Sequence, residues 1–350
     1  MIVNERETSE IPSYGVVIIG AGVSGLYQLY KSREIGVSAL VLESGTDVGG
    51  TWYWNRYPGA RFDSESYSYG YSFSQDLLDQ WDWQERFSAQ PENLKYLQHV
   101  TEELDLRSDI RFKSVVTQCT FDETSNEWQI EVEDGFTVRC RFLVTAIGIL
   151  SKPLIPDFDG MEDFKGPSFH TAQWPHDEVD FTGKRVGIIG TGATAVQLIQ
   201  EVAKTADHLT VFQRSPNWCA PLHNGPIEPA EMADIRSRYD EIFERCRQSF
   251  SGFIHDSDER KALDVSEEER EALYEELYAS PGFGIWIGNF RDVLVDEVAN
   301  ATLSDFIAQK IRERVDDREL AEKLIPRDHG FGTRRVPMET DYYEVYNQDN

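Results

Sequence analysis

Two glycine-rich loops, each placed between a short apolar strand and a helix, constrain the fold of this 350-residue chain more than any other feature. The first lies in YGVVIIGAGVSGLYQLYKSREIG, where Gly20, Gly22 and Gly25 give the pattern G-x-G-x-x-G after a predicted strand at residues 16–19. A helix is expected next, and the strand SALVLE then ends in Glu43. These parts are typical of a βαβ unit whose glycines admit a pyrophosphate and whose acid accepts hydrogen bonds from a ribose.

The second loop lies in GKRVGIIGTGATAVQLIQEVAKTADHLTVFQRSP and predicts another βαβ unit. Gly190, Gly192 and Ala195 form the accepted variant G-x-G-x-x-A. The strand that follows ends in Arg214 rather than in an acid. An arginine there suits the 2′-phosphate of NADP(H), because NAD(H) would favour an acid; the alternative is an ordinary surface arginine. The intervening helix is predicted to bury the stripe Val196, Ile199 and Val202.

The two loops differ in charge at the position that selects the nucleotide. Glu43 would repel a phosphate, whereas Arg214 would attract one. FAD at the first loop and NADPH at the second is therefore the natural assignment, and it predicts a flavoprotein oxidoreductase. The expected fold class is α/β, with two Rossmann-like dinucleotide-binding domains and a helical insertion in the second.

A segment rich in aromatic residues, GGTWYWNRYPGARFDSESYSYGYSFS, follows the first βαβ unit. Twelve of the 42 aromatic residues of the chain fall between Trp52 and Phe87, which is too dense for a solvated loop. They are expected to form a core patch, a wall around a flat ring such as a flavin, or both. Asp63 is a carboxylate within this apolar stretch and therefore needs a partner.

Composition excludes several classes of function. The formal net charge is −28 at pH 7, which excludes a strongly basic nucleic-acid surface. The acidic surface is expected to be either simply well solvated or adapted to high salt. The sequence predicts neither a membrane span nor a signal peptide. The four cysteines are far apart and lack C-x-x-C, which predicts reduced thiols in a cytoplasmic protein.

The predicted domain boundaries follow from the two loops and from a segment rich in proline and glycine, LSKPLIPDFDGMEDF. Residues 1–152 are expected to form the N-terminal part of the FAD domain, residues 153–175 a linker, and residues 176–350 the NADP domain. A helical insertion is expected at about residues 227–326 of the latter, with a capping box at its helix start formed by Ser266 and Glu269. Further helices are predicted at residues 91–104, 305–315 and 318–324.

Three motifs resemble those of one family. The segment FKGPSFHTAQWP has the form F-x-G-x-x-x-H-T-x-x-W-P, which resembles the fingerprint of type I Baeyer–Villiger monooxygenases. A second family motif, G-G-x-W-x-x-x-x-Y-P-G-x-x-x-D, is matched at residues 49–63, and a third in GTRRVPMETDYYEVYN at residues 332–347. The resemblance covers nearly the whole chain and is closest to the phenylacetone and cyclohexanone monooxygenase group. The fingerprint positions are Phe164, Gly166, His170, Thr171, Trp174 and Pro175.

The resemblance implies an FAD- and NADPH-dependent enzyme that uses O2 to convert a ketone to an ester or lactone, through a peroxide at C4a of the flavin. It also implies that Arg335 supplies a catalytic positive charge and that Asp63 holds and tunes this arginine. Arg334 stands where relatives often have lysine, and there it would help to bind the NADP phosphate. His170 is expected to be a hydrogen-bonded joint in the linker, packed by aromatic side chains, rather than an acid–base group.

The full set of candidate contacts follows from the loops and the resemblance. The residues expected at the FAD site are Gly20, Gly22, Ser24, Gly25, Glu43, Thr51, Trp52, Asp63 and Tyr69. Those expected at the NADP site are Gly190, Thr191, Gly192, Ala193, Thr194, Ala195, Arg214, Ser215 and Arg334. No metal site is expected.

Two alternative functions remain open at this point. A related flavin enzyme could oxygenate amines or sulfides, although the Trp-Pro ending of the fingerprint and Arg335 favour the Baeyer–Villiger reaction. The resembled enzymes continue well beyond Asn350, so the C-terminal parts of both domains are expected to be missing. A non-catalytic dinucleotide-binding remnant is therefore the second alternative. Neither the particular ketone nor the oligomeric state is indicated.

Overall fold

The structure, a computed structural model, describes residues 11–350 of the chain. They form two compact units. The first unit contains residues 11–56 and Pro91–Trp174, and the second contains Tyr57–Gln90 and Pro175–Asn350. Residues 57–90 therefore fold with the second glycine loop, although they follow the first loop in the sequence.

The elements are numbered in chain order. The helices of the described residues are α1 (Val23–Glu34), α2 (Thr51–Trp54), α3 (Ser66–Tyr69), α4 (Gln75–Gln80), α5 (Gln90–Glu103), α6 (Ala193–Ala203), α7 (Pro229–Ser237), α8 (Tyr239–Gln248), α9 (Glu267–Ala279), α10 (Gly284–Ile287), α11 (Glu297–Arg314) and α12 (Arg318–Leu324). The strands are β1 (Ser13–Ile19), β2 (Ala39–Leu42), β3 (Ile110–Arg111), β4 (Val116–Asp122), β5 (Glu127–Val132), β6 (Thr137–Thr145), β7 (Arg185–Ile189), β8 (His208–Phe212), β9 (Ala220–Pro221) and β10 (Met338–Glu339).

A six-stranded sheet of order β3-β2-β1-β6-β5-β4 forms the centre of the first unit. β1 pairs in parallel with β2 and β6, and β2 pairs in parallel with β3. β4, β5 and β6 are joined by antiparallel pairing. Because β1 and β2 are parallel neighbours, the loop that follows β1 and the acid that follows β2 lie at the same edge of the sheet.

The core of the first unit packs against this sheet. Its buried side chains include Val17 and Leu42 from parallel strands and Ile130 and Val138 from antiparallel ones. Each such side chain contributes about 1.5–3 kcal/mol when fully buried. The strands predicted at residues 16–19 and before Glu43 are confirmed by β1 and β2. The first loop therefore begins at the end of a firmly held strand.

At two positions of the first loop, the fold leaves no space for a side chain, so glycine is needed there. A Cβ on Gly25 would lie 1.9 Å from the carbonyl oxygen of Gly20. Gly20 has a φ of +102°, and a Cβ there would lie 2.6 Å from the carbonyl oxygen of Ala146. The helix α1 thus begins in direct contact with the loop backbone.

The second unit contains the other βαβ arrangement. β7 and β8 pair in parallel, with α6 between them in the sequence. The predicted apolar stripe of α6 is confirmed, since Val196, Ile199 and Val202 are fully buried. Ala195 carries a Cβ at the position where the first loop has Gly25, so this loop does not share the close contact that excludes alanine there.

The remaining helices of the second unit are α7 to α12. The predicted capping box is confirmed, since the Ser266 hydroxyl accepts from Glu269 N and the Glu269 carboxylate accepts from Ser266 N. The predicted helix start at residue 305 is wrong, because Asp296 caps α11 much earlier and accepts from the N–H groups of Val298 and Ala299, each at 2.9 Å. Within residues 11–350, no helix combines the length and the apolar character that crossing a bilayer requires.

Replacing Gly25 by alanine is expected to destabilise the first unit, because the new Cβ would meet a backbone oxygen that cannot move aside. We expect a loss of about 1–3 kcal/mol in the free energy of unfolding, as at other overpacked sites. Gly192→Ala is the matched control, since Gly192 has a φ of −76° and an added Cβ would meet open space. Urea unfolding of both variants checks the prediction, which fails if Gly25→Ala is as stable as the wild type.

Candidate active site

The first glycine loop packs against the glycine pair of the motif at residues 49–63. Gly50 has a φ of +51°, and a Cβ on it would lie 2.8 Å from the Cα of Gly22. Gly49 has a φ of +130°, and a Cβ there would lie 2.5 Å from Leu94 Cδ1. The backbone at Gly22 and the backbone at Gly50 therefore lie closer together than side chains would allow. Such exposed backbone can line a nucleotide site.

Glu43 is buried at the end of β2, and its carboxylate holds the first loop. Oε2 accepts a hydrogen bond from Ala21 N at 2.7 Å, and Oε1 accepts one from Gly45 N at 2.7 Å. The side chain places a negative charge beside the loop with only 3% of the residue exposed. Its hydrogen bond to a ribose stays a prediction.

The residues predicted to contact FAD are divided between the two units. Ser24 and Thr51 lie exposed in the first turns of α1 and α2, and Trp52 is buried in α2, all in the first unit. Asp63 and Tyr69 lie instead in the second unit. No sequence pattern indicated this division.

Aromatic side chains of residues 57–90 form a packed cluster in the second unit. The rings of Phe62 and Tyr69 have centroids 4.5 Å apart, and those of Phe62 and Trp83 are 6.2 Å apart. Phe62, Trp83 and Phe87 are buried. The expected aromatic core patch is therefore present, and a wall around a flavin stays a prediction.

His170 caps its own turn in the linker fingerprint. Its Nδ1 accepts a hydrogen bond from Ala172 N at 3.2 Å, at the start of the turn Thr171–Gln173. The rings of Phe169 and Trp174 lie on either side of this turn in the sequence, with centroids 5.5 Å apart. The hydrogen-bonded, half-buried state of His170 fits a structural residue, and its function as a joint between domains stays a prediction.

Two other fingerprint residues, Phe164 and Gly166, contact each other. Phe164 is 64% exposed, and its ring occupies the space that a Cβ on Gly166 would need, with Cζ only 2.8 Å away. Pro175 begins the second segment of the second unit. The Phe164 ring therefore packs against Gly166 and would have to rotate if position 166 carried a side chain.

The second glycine loop is tied to the segment that follows β8. Gly190 has a φ of +104°, and its N–H donates to the carbonyl oxygen of Phe212 at 3.0 Å. The Thr191 hydroxyl donates to the carbonyl oxygen of Ser215 at 2.9 Å. Gly192 precedes α6 as its N-cap. The first turn of α6 contains the remaining predicted contacts Ala193, Thr194 and Ala195.

Two exposed arginines of the second unit are the candidates for phosphate binding. Arg214 lies just beyond β8 and is exposed. The Arg334 side chain is 54% exposed, and its Nη2 lies 3.1 Å from Asp328 Oδ2. Exposed guanidinium groups retain their charge and their forked donors for a ligand. Their contacts with NADP stay predictions.

The structure brings Asp63 and Arg335 together although 272 positions separate them. Arg335 Nη2 donates to Asp63 Oδ2 at 2.8 Å, and Met338 N donates to the same oxygen at 3.4 Å. The Asp63 side chain is 1% exposed, whereas the Arg335 side chain is 55% exposed. This ion pair therefore shields its anion and leaves its cation accessible, an arrangement that can present positive charge to a ligand.

Burial raises the pKa of Asp63 to about 6, and the positive charge of Arg335 is the largest influence that opposes this. The carboxyl group therefore gains its proton at mildly acidic pH, well above the range of an exposed aspartate. Burial also raises the pKa of Tyr57, which lies in the same part of the second unit.

The sequence analysis missed Gln197, which joins this pair. Its Nε2 donates to Asp63 Oδ1 at 3.2 Å and to the carbonyl oxygen of Arg61 at 3.0 Å. The Tyr57 hydroxyl donates to its Oε1 at 2.8 Å. Glutamine carries no charge and belongs to no motif named above. The one available signal was its polar side chain in the buried run VQLI of α6.

The backbone around Arg335 is held by a small parallel pair of strands. β10 begins three residues after Arg335 and pairs with β9. Glu339 of β10 has a fully buried side chain, and Arg314 of α11 donates to both of its oxygens, at 2.6 and 3.1 Å. Val336 is also fully buried. The exposed guanidinium of Arg335 therefore extends from a fixed backbone.

Comparison with known proteins identifies the family. The family model described as flavin-binding monooxygenase-like matches residues 14–251. A 2-oxo-Δ3-4,5,5-trimethylcyclopentenylacetyl-CoA monooxygenase of Pseudomonas putida is 50% identical over 345 residues, which are 97% of this chain and 63% of that protein. An acetone monooxygenase (methyl acetate-forming) of Gordonia sp. (strain TY-5) is 44% identical, over 95% of this chain and 62% of that protein. The chain spans less than two thirds of the length of these relatives.

A solved structure supports the same conclusion. The crystal structure of OTEMO complexed with FAD and NADP (form 3) matches with a TM-score of 0.95 and 50% identity, over 97% of this chain and 65% of that chain. The predicted α/β fold class is thereby confirmed. The chain belongs to the flavin-binding monooxygenase-like family, and several of its relatives are Baeyer–Villiger monooxygenases.

Proposed function

We propose that the protein is an FAD- and NADPH-dependent monooxygenase of the Baeyer–Villiger type. It inserts one oxygen atom of O2 next to the carbonyl of a ketone and produces an ester or a lactone. The ion pair of buried Asp63 and accessible Arg335 carries this proposal, because oxygen insertion needs a fixed positive charge. The name of the Gordonia relative, which links acetone to methyl acetate, supports ketones as the substrate class.

The first unit has the features that FAD requires. Gly20, Gly22 and Gly50 bring backbone segments close together at the first loop, and a loop without side chains would let a pyrophosphate reach its N–H groups. The negative charge of Glu43 beside this loop favours a ribose with free hydroxyl groups over a 2′-phosphate. When bound, the flavin would supply the redox chemistry that couples oxidation of NADPH to activation of O2, and the second oxygen atom would leave as water.

The second unit has the features that NADPH requires. The loop at Gly190 to Gly192 precedes the N-terminus of α6, where a helix favours anionic phosphates. Arg214 would bind the 2′-phosphate, and Arg334 would help to bind the NADP phosphate, each through its forked donors. No acid follows β8, which removes the group that would favour NADH.

Arg335 would stabilise the negative charge that develops on oxygen during attack on the carbonyl. Arginine suits this role because a guanidinium group is a permanent cation with donors in a fixed geometry. Asp63 orients this group from the buried side and leaves the exposed side for substrate and cofactor. In its ionised form Asp63 also keeps the guanidinium in one position, which lowers the cost of ordering it during the reaction.

The domain organisation and compartment belong to the same proposal. Residues 1–152 contribute to FAD binding, residues 153–175 form the linker, and residues 176–350 contribute NADP binding with a helical insertion at about residues 227–326. A cytoplasmic location fits the need for NADPH and the four free cysteines. The remaining partners are the ketone and O2.

Arg335→Ala is expected to leave reduction of bound FAD by NADPH nearly unchanged and to lower oxygenated product at least about 100-fold, since a charge-stabilising donor is lost. Arg335→Lys should restore part of the activity, because the charge remains without the forked donors. Anaerobic bleaching of the flavin measures the first step, and chromatography of ketone products measures the second.

The neighbouring variant Arg334→Ala is the control for Arg335. It should weaken NADPH binding but still form ester at saturating NADPH. Ester formation by Arg335→Ala at the wild-type rate contradicts the proposed role. An N-oxide or sulfoxide formed instead of an ester would support the alternative oxygenase, and a chain that binds no FAD would support the non-catalytic remnant.

Arg214→Ala is expected to reduce affinity for NADPH by about 10–100-fold, the effect of one lost charge-assisted interaction. Affinity for NADH should change little, because NADH lacks the 2′-phosphate. Fluorescence titration of the protein with both nucleotides measures this directly. Equal losses for NADPH and NADH would show that Arg214 acts on the fold rather than on the phosphate.

Asp63→Asn is expected to change how stability depends on pH. The pKa of Asp63 is about 6 in the folded protein, against an ordinary value of about 3.9 when unfolded. Between these values the folded state binds more protons, so the stabilisation by protonated Asp63 is complete below about pH 4 and is lost as the pH rises through about 6. The wild type should therefore lose up to about 3 kcal/mol relative to Asp63→Asn between about pH 4 and 7. Urea unfolding across this range measures the difference, and a constant difference would contradict the raised pKa.

A further inference from the structure

We propose that Gln197 is a positioning residue that holds the Asp63 carboxylate in the ionised state that pairs with Arg335. This inference rests on the proposed function, since it assigns the residue that supports the catalytic pair. It adds a residue of the nucleotide-binding helix α6 to a site otherwise built from residues 57–63 and 332–338.

The amide of Gln197 is oriented by its neighbours. Its Oε1 accepts from the Tyr57 hydroxyl at 2.8 Å, so its Nε2 donors face the other side. There Nε2 donates to the carbonyl oxygen of Arg61 and to Asp63 Oδ1. Gln197 is 6% exposed, which excludes water as an easy substitute for these partners. The side chain can therefore act only as a donor toward Asp63.

Three positions of the motif Y-P-G-x-x-x-D meet this one residue. Tyr57 donates to its side chain, and Asp63 accepts from its side chain. A Cβ on Gly59, whose φ is +82°, would lie 2.6 Å from the backbone oxygen of Gln197. The spacing of the motif thus lets all three residues contact Gln197 on α6. These contacts explain why a tyrosine and a glycine accompany the aspartate.

Several groups that face Asp63 influence its ionisation. Arg335 and Arg61 are the cations, and both favour the ionised carboxylate. Tyr57 and the buried Cys219 thiol lie close enough to interact with its charge. Arg335 is more than half exposed, so water screens part of its effect. The buried donors are the Met338 N–H and the Gln197 amide, and both favour the ionised carboxylate. Their hydrogen bonds stabilise it without solvent screening.

The test measures the titration of Asp63 through stability, with the full 350-residue chain and no cofactor. Four proteins are unfolded in urea from about pH 4.5 to 8: the wild type, Asp63→Asn, Gln197→Met and the double variant. The wild type is compared with Asp63→Asn, and Gln197→Met is compared with the double variant. Within each pair, the difference in the free energy of unfolding gives the contribution of Asp63. In the wild-type pair this difference should level off above about pH 6. In the Gln197→Met pair it should level off about one pH unit higher, because one hydrogen bond to the charged form is lost.

Gln200→Met is the matched control. Gln200 lies on the same helix and is also a hydrogen-bonded glutamine, since its Oε1 accepts from the N–H groups of Thr340 and Asp341. It should lower stability without moving the titration of Asp63. If Gln197→Met fails to fold, Tyr57→Phe provides the second variant. That change frees the Gln197 amide and should give a smaller shift in the same direction.

Activity of the FAD-loaded protein separates this inference from the proposed function. The acidic limb of the pH profile for ester formation should move to higher pH in Gln197→Met and stay in place in Gln200→Met. A shifted stability titration without ester from any variant would uphold the role of Gln197 and overturn the proposed reaction. Ester formation with an unmoved limb and an unmoved titration would overturn the role of Gln197 alone.

Discussion

A carboxylate removed from water is the constraint on which the candidate site depends. A buried, ionised aspartate is costly unless donors surround it, and Asp63 is 2% exposed. The chain supplies those donors from distant positions: Gln197 on α6, Arg335 before β10, and the backbone N–H of Met338. Since the donors are 134 to 275 positions from Asp63, the site exists only when the second unit has folded. The stability of the second unit and the position of the Arg335 guanidinium therefore both depend on the Asp63 side chain.

The two glycine loops share a sequence pattern but differ in what their surroundings require. In the first, Gly25 touches the loop backbone and cannot be alanine, and the buried Glu43 adds a negative charge. In the second, Ala195 occupies the equivalent position, and the exposed Arg214 adds a positive charge. The pattern indicates that a phosphate lies near the helix start, whereas the flanking charge determines which nucleotide is favoured. Under the proposed function, this difference would direct FAD to the first loop and NADPH to the second.

Local patterns were sufficient to predict β1, β2, the buried stripe of α6 and the capping box of α9, because each depends on residues close together in the chain. The start of α11 was wrong because the cap at Asp296 lies outside the periodic stretch that indicated the helix. The placement of residues 57–90 in the second unit could not be predicted, since it depends on long-range contacts such as that between Tyr57 and Gln197. Asp63 and Arg335 were found through their motifs, whereas Gln197 has neither a charge nor a motif to indicate it.

The chemical nature of residue 197 bears on how the site works. A lysine there would lower the pKa of Asp63, but its ammonium would compete with Arg335 for the same carboxylate. A leucine would leave Asp63 Oδ1 without its donor and favour the neutral acid, which binds a guanidinium less strongly than the carboxylate does. An amide avoids both outcomes, because it donates to the carboxylate without neutralising its charge. The pKa of about 6 that burial imposes on Asp63 then lies just below neutral pH, so Asp63 is ionised, and Arg335 is held, at neutral pH.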